Sequence, residues 1–295
     1  MKLTRCLSVL LLLLFTLASA HAQIAVDISI KRRLFVRHEP VLATVNITNN
    51  TGRDIELTDT KEAQWFSFQI SGEGDRFVPA RNLDYHLEPL SIRAGETLKR
   101  TVNLNELYSL GDFGIYRVRA NIYFAGADKY FSSKPTHIEI TEGRTMWRQS
   151  VGVPEGVLGG GETRKFTLLA HQQGEKNLLY VRVEDPDNAT VFCTFAIGRM
   201  IDGVPPQMQF DSANNLYILQ LISQRTYALT TIGVNGEFRG QNQYAAPKAR
   251  PYLRKQGNGT LQLVGGQRLD KPADPADLPP VAKLSDRPVA LPGKK

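Results

Sequence analysis

Cysteine is nearly absent from this chain of 295 residues, which contains only Cys6 and Cys193. Cys6 belongs to a leader that we expect to be removed, so Cys193 is alone in the predicted mature protein. One cysteine excludes an internal disulfide, even in a compartment that permits such bonds. Because Cys193 lies in an apolar strand-like run, we expect a buried small side chain rather than a thiolate nucleophile, which needs a basic or helix-terminal setting.

Long apolar runs are also scarce. Residues 7–17 form the one such run, after Lys2 and Arg5 and before the small-residue signal at 20–22. Eleven apolar residues are too few to span a bilayer and are typical of a secretory signal peptide. The sequence therefore predicts a signal peptide at 1–22 and a protein that is exported to the periplasm or the extracellular space. A cut after Ala20 and an uncleaved membrane anchor are the alternatives, and the mature chain has no other transmembrane candidate.

A strong charge is missing from the predicted mature chain. Removing Lys2 and Arg5 leaves 34 basic and 29 acidic residues, a net charge of +5. The basic residues are scattered, and residues 31–33 form their one dense cluster. Nucleic-acid binding requires a basic stripe with aromatic residues interleaved, so no nucleic-acid partner is predicted.

Catalytic motifs are absent as well. The sequence lacks a Gly-x-Ser-x-Gly elbow and a His-Glu-x-x-His pair, and the glycine triplet at 159–161 lacks the lysine of a phosphate loop. Four histidines follow the leader without metal-ligand spacing: His38, His86, His137 and His171. We predict that the protein is not an enzyme and needs no cofactor.

Two weaker site hypotheses concern the second half of the chain. Glu184, Asp185 and Asp187 offer oxygen ligands on a turn and are calcium candidates, although a solvated hairpin turn is the alternative. The aromatic residues of irregular segments are candidate sugar platforms, with packing between domains as the alternative: Trp147, Tyr244 and Tyr252.

Apolar residues alternate with polar ones along most of the chain, which predicts half-buried antiparallel strands and an all-β fold. Seven alternating runs precede residue 142, near 24–30, 41–47, 55–57, 66–70, 98–104, 116–124 and 130–140. A glycine-rich stretch at 143–163 is predicted to be a linker, and residues 164–267 a second antiparallel β domain, either a small barrel or a sandwich. The proline-rich end at 268–295 has too little apolar surface to fold and is expected to be a disordered tail.

One motif carries a family resemblance. Asp112, Gly114 and Tyr116 recur at every second position and resemble the tyrosine corner of immunoglobulin-like domains. The motif opens the sixth of seven runs, and Trp65 in the fourth is placed like the usual core tryptophan. Val118 replaces the cysteine of antibody domains, so no disulfide joins the sheets. Residues 24–141 thus resemble a bacterial extracellular immunoglobulin-like β-sandwich, whereas the second half resembles no family that we recognise.

Such modules bind proteins, separate other domains or inhibit proteases, so the resemblance leaves the function open. We expect a non-catalytic binding or structural protein of the cell envelope with a protein partner. One alternative is an inhibitor or accessory protein of a secreted protease, in contact through the loop at 72–94 with its Phe77. The other is a carbohydrate-active protein that uses the second β domain.

The leader gives a direct test. N-terminal sequencing of the protein isolated from its native cells is expected to begin at Gln23, because signal peptidase reads small residues at Ala20 and Ala22. A protein that begins at Met1 and stays in the membrane fraction would contradict the export prediction.

Overall fold

The structure is a computed structural model that describes residues 23–81 and 85–269. The predicted signal peptide, residues 82–84 and the tail beyond 269 lie outside the described residues. Strands dominate, so the predicted all-β class is confirmed. No helix in the described part is long and apolar enough to cross a bilayer.

Besides single 3-10 turns at Glu73–Asp75 and Ala125–Ala127, the described first part of the chain contains ten strands and one short α-helix. They are β1 (Ile24–Ile30), β2 (Leu34–Val36), β3 (Leu42–Asn49), β4 (Ile55–Leu57), β5 (Phe66–Ser71), β6 (Leu90–Ile92), β7 (Thr97–Asn103), α1 (Leu104–Leu107), β8 (Gly114–Phe124), β9 (Lys129–Ser132) and β10 (Thr136–Thr141). Each of the seven predicted runs is a strand, but the last is divided in two near Pro135, which cannot donate to a ladder. β2 and β6, of three residues each, were not predicted.

The strands of the first part form two main sheets, β1-β3-β7 and β2-β10-β8-β5, with β9 also on β8 and with β4-β6 as a separate pair. Every pairing in this part is antiparallel except that of β2 with β10. The alternate apolar residues of both sheets meet in one core, an arrangement compatible with a β-sandwich. Trp65 is completely buried there and donates its ring N–H to the Leu87 carbonyl at 3.2 Å.

Eleven strands form the second part. They are β11 (Arg144–Gly152), β12 (Thr163–Gln173), β13 (Lys176–Asp185), β14 (Thr190–Arg199), β15 (Gln207–Phe210), β16 (Leu216–Ser223), β17 (Thr226–Ile232), β18 (Phe238–Ala245), β19 (Tyr252–Lys255), β20 (Leu261–Val264) and β21 (Gln267–Arg268). An antiparallel sheet β11-β12-β13-β14 and an antiparallel sheet β15-β16-β17-β18-β21 share a second core. β19 and β20 form a hairpin.

Two local expectations differ from the structure. Much of the predicted linker is strand β11, which pairs with β12 over its whole length. A bulge between Thr145 and Trp147 shifts its register, so the alternation that marks a strand is broken in the sequence. At the other end, Arg268 of the predicted tail belongs to β21 and pairs with Tyr244 of β18. The positions of the domain boundaries remain a prediction.

The first and second parts meet at a buried junction. Val36 of β2 packs against an apolar cluster on the outer face of the β11–β14 sheet: Leu169, Leu178, Tyr180 and Ala196. Beside this cluster, Arg32 binds Glu39 at 2.7 Å and donates to the Tyr180 hydroxyl at 3.3 Å. Arg182 donates to the Arg37 carbonyl at 2.8 Å and to Glu142 at 3.1 Å. Charges buried at such a junction are tolerated because each has a partner.

His38 lies at this junction with a left-handed φ of 66°. Burial, together with the cations of Arg182 and Arg37, lowers the pKa of His38 to about 4. The carboxylates of Glu142 and Glu184 act in the opposite direction and only partly offset this shift. The folded protein therefore holds the His38 ring neutral at a pH where an unfolded chain would protonate it.

The lowered pKa predicts that acid destabilises the junction. The contribution of the neutral His38 ring to the free energy of unfolding is fully present above its usual pKa of 6.5, and it is lost as the pH falls from 6.5 toward 4. The test variant is His38→Asn, because asparagine tolerates a left-handed backbone. Between neutral and mildly acid pH, we expect the parent to lose about 1 kcal/mol more unfolding free energy than this variant, after discounting for solvent screening. Denaturant unfolding at several pH values measures this difference.

The exposed His137→Asn on β10 is the matched control, and it should leave the pH profile of the parent unchanged. Identical profiles for His38→Asn and the parent would show that the His38 ring does not contribute.

Candidate functional site

A groove of about 260 Å³ opens at one end of the first part, where two loops lie side by side. Its walls come from residues 72–79 and 109–116, and we call it the corner groove. Many sites for small molecules are larger, at about 300–1,000 Å³. The size of the corner groove suits a few side chains of a protein or peptide better than a whole small molecule.

The first wall is a loop that folds back on β5. The Gly72 N–H donates to the Arg76 carbonyl at 2.8 Å, and the Val78 N–H donates to the Ile70 carbonyl at 2.9 Å. Successive side chains of an extended segment point in opposite directions. Val78 is therefore buried, whereas Phe77 beside it is 63% exposed at the groove.

The second wall is the turn that leads into β8. Gly114 has a φ of 127°, a conformation that a side chain would strain. The Tyr116 hydroxyl donates to the Asp112 carbonyl at 2.8 Å, while its ring is almost completely buried. This is the bond back to the chain that a tyrosine corner requires. The turn leaves Phe113 and Ile115 on the surface, at 54% and 46% exposure.

The two walls touch each other. A Cβ added to Gly72 would lie 3.7 Å from the Tyr116 ring, which is ordinary van der Waals contact, so the backbone of the first wall lies directly beside that ring. Arg76 of the first wall and Asp112 of the second form an ion pair at 3.6 Å. Both side chains are mostly exposed, so this pair contributes little to stability, but it does connect the walls at the rim.

The rim of the corner groove carries both signs of charge. Arg117 pairs with Asp75 at 2.9 Å, and the Arg37 guanidinium lies 5.4 Å from the centre of the Phe113 ring. Burial and the nearby Asp112 carboxylate raise the pKa of the Tyr116 hydroxyl, which therefore stays protonated as a donor at neutral pH. Exposed aromatic side chains beside paired charges are a combination that is also found at protein-binding surfaces.

Phe77 and Phe113 are the two exposed phenylalanines among the described residues of the first part. Both lie at the corner groove. The sequence indicated Phe77 through the loop at 72–94, and it indicated the residues around Phe113 only as a structural corner. What sequence reasoning missed is that the loop and the corner form one surface.

The calcium candidates do not converge on one point. Asp185 is buried and accepts hydrogen bonds from the side-chain amide of Asn188 and from the backbone N–H groups of Asn188 and Asp187. These hydrogen bonds lower the pKa of Asp185. Glu184 pairs instead with Lys165. In the described part of the chain, no group of three His, Cys, Asp or Glu side chains could hold a metal ion. The structure therefore lends the calcium hypothesis no support.

The histidines do not line the corner groove either. His171 exchanges a hydrogen bond of 2.8 Å with Thr141 at the junction, and His38 lies near it. His86 binds Asp59 at 2.6 Å, and the same Asp59 carboxylate accepts a hydrogen bond from the backbone N–H of Trp65 at 2.8 Å. The pair of His86 and Asp59 therefore orders the segment before β5 and does not contact the corner groove.

The remaining candidates lie in the second part. The Trp147 ring packs 6.0 Å from Phe210 against the second core, so its packing lies within the second part and not between the two parts. Tyr244 is half-buried, and Tyr252 is exposed on the β19–β20 hairpin. Cys193 is half-buried rather than fully buried, and a Cβ on Gly236 would lie only 2.7 Å from its sulfur.

No family model matches the chain, and no curated protein matches it. Inference about function must therefore come from the geometry of the described residues. Within that part of the chain, the corner groove combines exposed apolar side chains with a braced backbone.

The corner bond gives a stability test. Tyr116→Phe is expected to cost about 1 kcal/mol of unfolding free energy, because the Asp112 carbonyl loses its donor. That change lowers Tm by about 2–4 °C in a protein of this size. Tyr130→Phe, at an exposed tyrosine of β9, is the control and should stay within about 0.5 kcal/mol of the parent. Equal losses in both variants would show that the corner bond does not brace the groove.

Proposed function

We propose that this chain is an exported, non-catalytic binding or structural protein of the cell envelope. In this proposal the first part is an immunoglobulin-like sandwich that binds a protein partner in the corner groove. The observation that carries it is the exposure of Phe77, Phe113 and Ile115 around one braced groove. Large apolar side chains held in water favour association, since burying them in a partner releases that surface from solvent.

Three features support the immunoglobulin-like assignment. The Tyr116 hydroxyl bonds back to Asp112, and Trp65 fills the core immediately before β5. In addition, β8 lies between β5 and β10, as strand F of an immunoglobulin-like domain lies between C and G. The fold itself does not select a function, so the groove carries the functional argument.

The physical basis of binding is preorganisation. The backbone bonds of Gly72 and Val78 hold one wall, and the Tyr116 bond holds the other. A partner that binds a surface already held in place loses less conformational entropy than one that must order a mobile loop. The two phenylalanines are then the expected hot spots, because buried aromatic anchors dominate binding energy.

Inhibition of a secreted protease is the second candidate, and one observation favours it. Phe77 projects from a loop fixed on both sides, between the turn at Gly72 and the bond from Val78 to Ile70. A protease cleft takes an extended segment with an exposed side chain, and Phe77 offers one. Phe77→Ala would abolish inhibition in this case, whereas Phe113→Ala would change it little.

Site-specific photocrosslinking tests the groove. A photoreactive phenylalanine analogue at position 77 or 113 is expected to trap the same envelope protein in native cells, and the analogue at Tyr130 is not. With that partner purified, Phe113→Ala should weaken binding by at least about tenfold, which corresponds to about 1.4 kcal/mol. Equal trapping at 77, 113 and 130, or unchanged affinity for Phe113→Ala, would contradict the proposal.

A further inference from the structure

Strand β11 forms one edge of the second part. It pairs with β12 on one side, and no strand of the described residues pairs with it on the other. Most of its residues are exposed, and the Asn214 side chain binds only the carbonyl of its last residue, Gly152, at 2.8 Å. An unpaired edge presents a row of backbone N–H and C=O groups that can pair with another extended chain.

The direction of these backbone groups follows from the register of β11 on β12. Just beyond β11, the Val153 N–H donates to the Glu162 carbonyl at 2.8 Å. Residues that bond to the neighbouring strand alternate along an antiparallel pair with residues that do not. Val151, two positions earlier in the same register, therefore bonds to β12. Arg148 and Ser150 direct their backbone groups away from β12.

Side chains close other strand edges of this molecule. The Tyr108 hydroxyl binds the N–H and the carbonyl of Phe68 on β5, at 3.1 and 2.8 Å. Gln241 donates to the Ile197 carbonyl on the edge strand β14 at 2.7 Å. Among the described residues, no side chain is hydrogen-bonded to the backbone of residues 148–150. This stretch of β11 is therefore open to pairing.

The two faces of β11 differ in chemistry. Trp147 and Val151 lie on the inner face, half-buried at the margin of the second core. Arg148 and Ser150 lie on the outer face and are exposed. The two charged residues of β11 are Arg144 and Arg148, and neither makes an ion pair with another described residue. A strand that fits this edge carries apolar residues on one face and carboxylates on the other.

We propose that β11 is a docking edge for an extended segment of a partner protein in which acidic residues alternate with apolar ones. The segment adds a strand through backbone bonds to Arg148 and Ser150. Its carboxylates lie beside Arg148, and its apolar residues extend the second core past Trp147 and Val151. In such strand additions, main-chain bonds supply affinity and alternate side chains supply specificity. The edge shares no residue with the corner groove, so this inference goes beyond the proposed function.

A second copy of this chain fits the edge less well than an acidic segment. β11 contains no acidic residue, so two copies of β11 offer no carboxylate to Arg148. If Arg148 of each copy lies opposite Ser150 of the other, the two Arg148 residues are diagonal neighbours on one face, about 7–8 Å apart. If Arg148 lies opposite its own counterpart, the two charges are closer still. Like charges in these positions oppose pairing, so the charge of β11 favours the acidic segment.

Peptide titration followed by tryptophan fluorescence tests the proposal. The chain has two tryptophans, and Trp65 is completely buried in the first part, so a change on binding reports on Trp147 at the edge. The probe is a peptide of about eight residues, a usual strand length, in which glutamate alternates with valine. Its matched control has lysine in place of glutamate. The chain 23–295 should bind the glutamate peptide at least about tenfold more tightly than the lysine peptide.

Two variants locate the contact. Arg148→Glu should reverse the preference, so that the lysine peptide binds at least about tenfold more tightly than the glutamate peptide. Ser150→Pro should weaken binding of the glutamate peptide at least about tenfold, because proline removes an outward N–H and leaves the bonds to β12 in place. Arg254→Glu, at an exposed arginine of the β19–β20 hairpin, is the matched control and should bind like the parent. Circular dichroism checks that each variant keeps its β fold.

Four results would overturn the proposal. The glutamate peptide fails to bind the parent chain, or the two peptides bind it equally. Arg148→Glu keeps the preference of the parent, or Arg254→Glu reverses it as well. Self-association of the parent chain that Ser150→Pro abolishes would also overturn the proposal, because a second copy would then occupy the edge. Since Arg148→Glu tests the contact by reversal, its outcome decides even if Ser150→Pro does not fold.

Discussion

The corner groove depends on the hydrogen bond from the Tyr116 hydroxyl to the Asp112 carbonyl. Gly114 lies between these two residues with a positive φ of 127°. The Tyr116 ring belongs to the core of the first part, so the turn is attached to that core. Because the turn is attached there, Phe113 and Ile115 have to point outward. The structural motif and the proposed binding surface thus depend on the same three residues, Asp112, Gly114 and Tyr116.

The junction between the two parts shows a second constraint. β13 is buried on both faces, toward the second core through Val181 and toward the first part through Tyr180 and Arg182. A strand covered on both sides reads as a nearly continuous apolar run rather than an alternation. The second part therefore supports the first through paired buried charges and a small apolar contact, and the corner groove is left on the surface.

Sequence reasoning reached the fold class, the seven main strands of the first part and the corner because each depends on local periodicity or a short motif. It missed β11 because a bulge next to Trp147 breaks the alternation, and β18 because its residues are mostly polar. It named Phe77 but did not combine it with Phe113. Those two residues line one groove because residues 72–79 fold back on β5, and such a tertiary arrangement leaves no local signal in the sequence.

Amide hydrogen exchange of Gly114→Ala is the most direct test of the central claim that one turn braces both walls. A side chain at a φ of 127° strains the turn. The account predicts faster exchange in both 109–116 and 72–79, because Gly72 packs on the Tyr116 ring and Arg76 pairs with Asp112. Exchange in β1 and β3 should be unchanged. Faster exchange confined to 109–116, with 72–79 like the parent, would contradict the account.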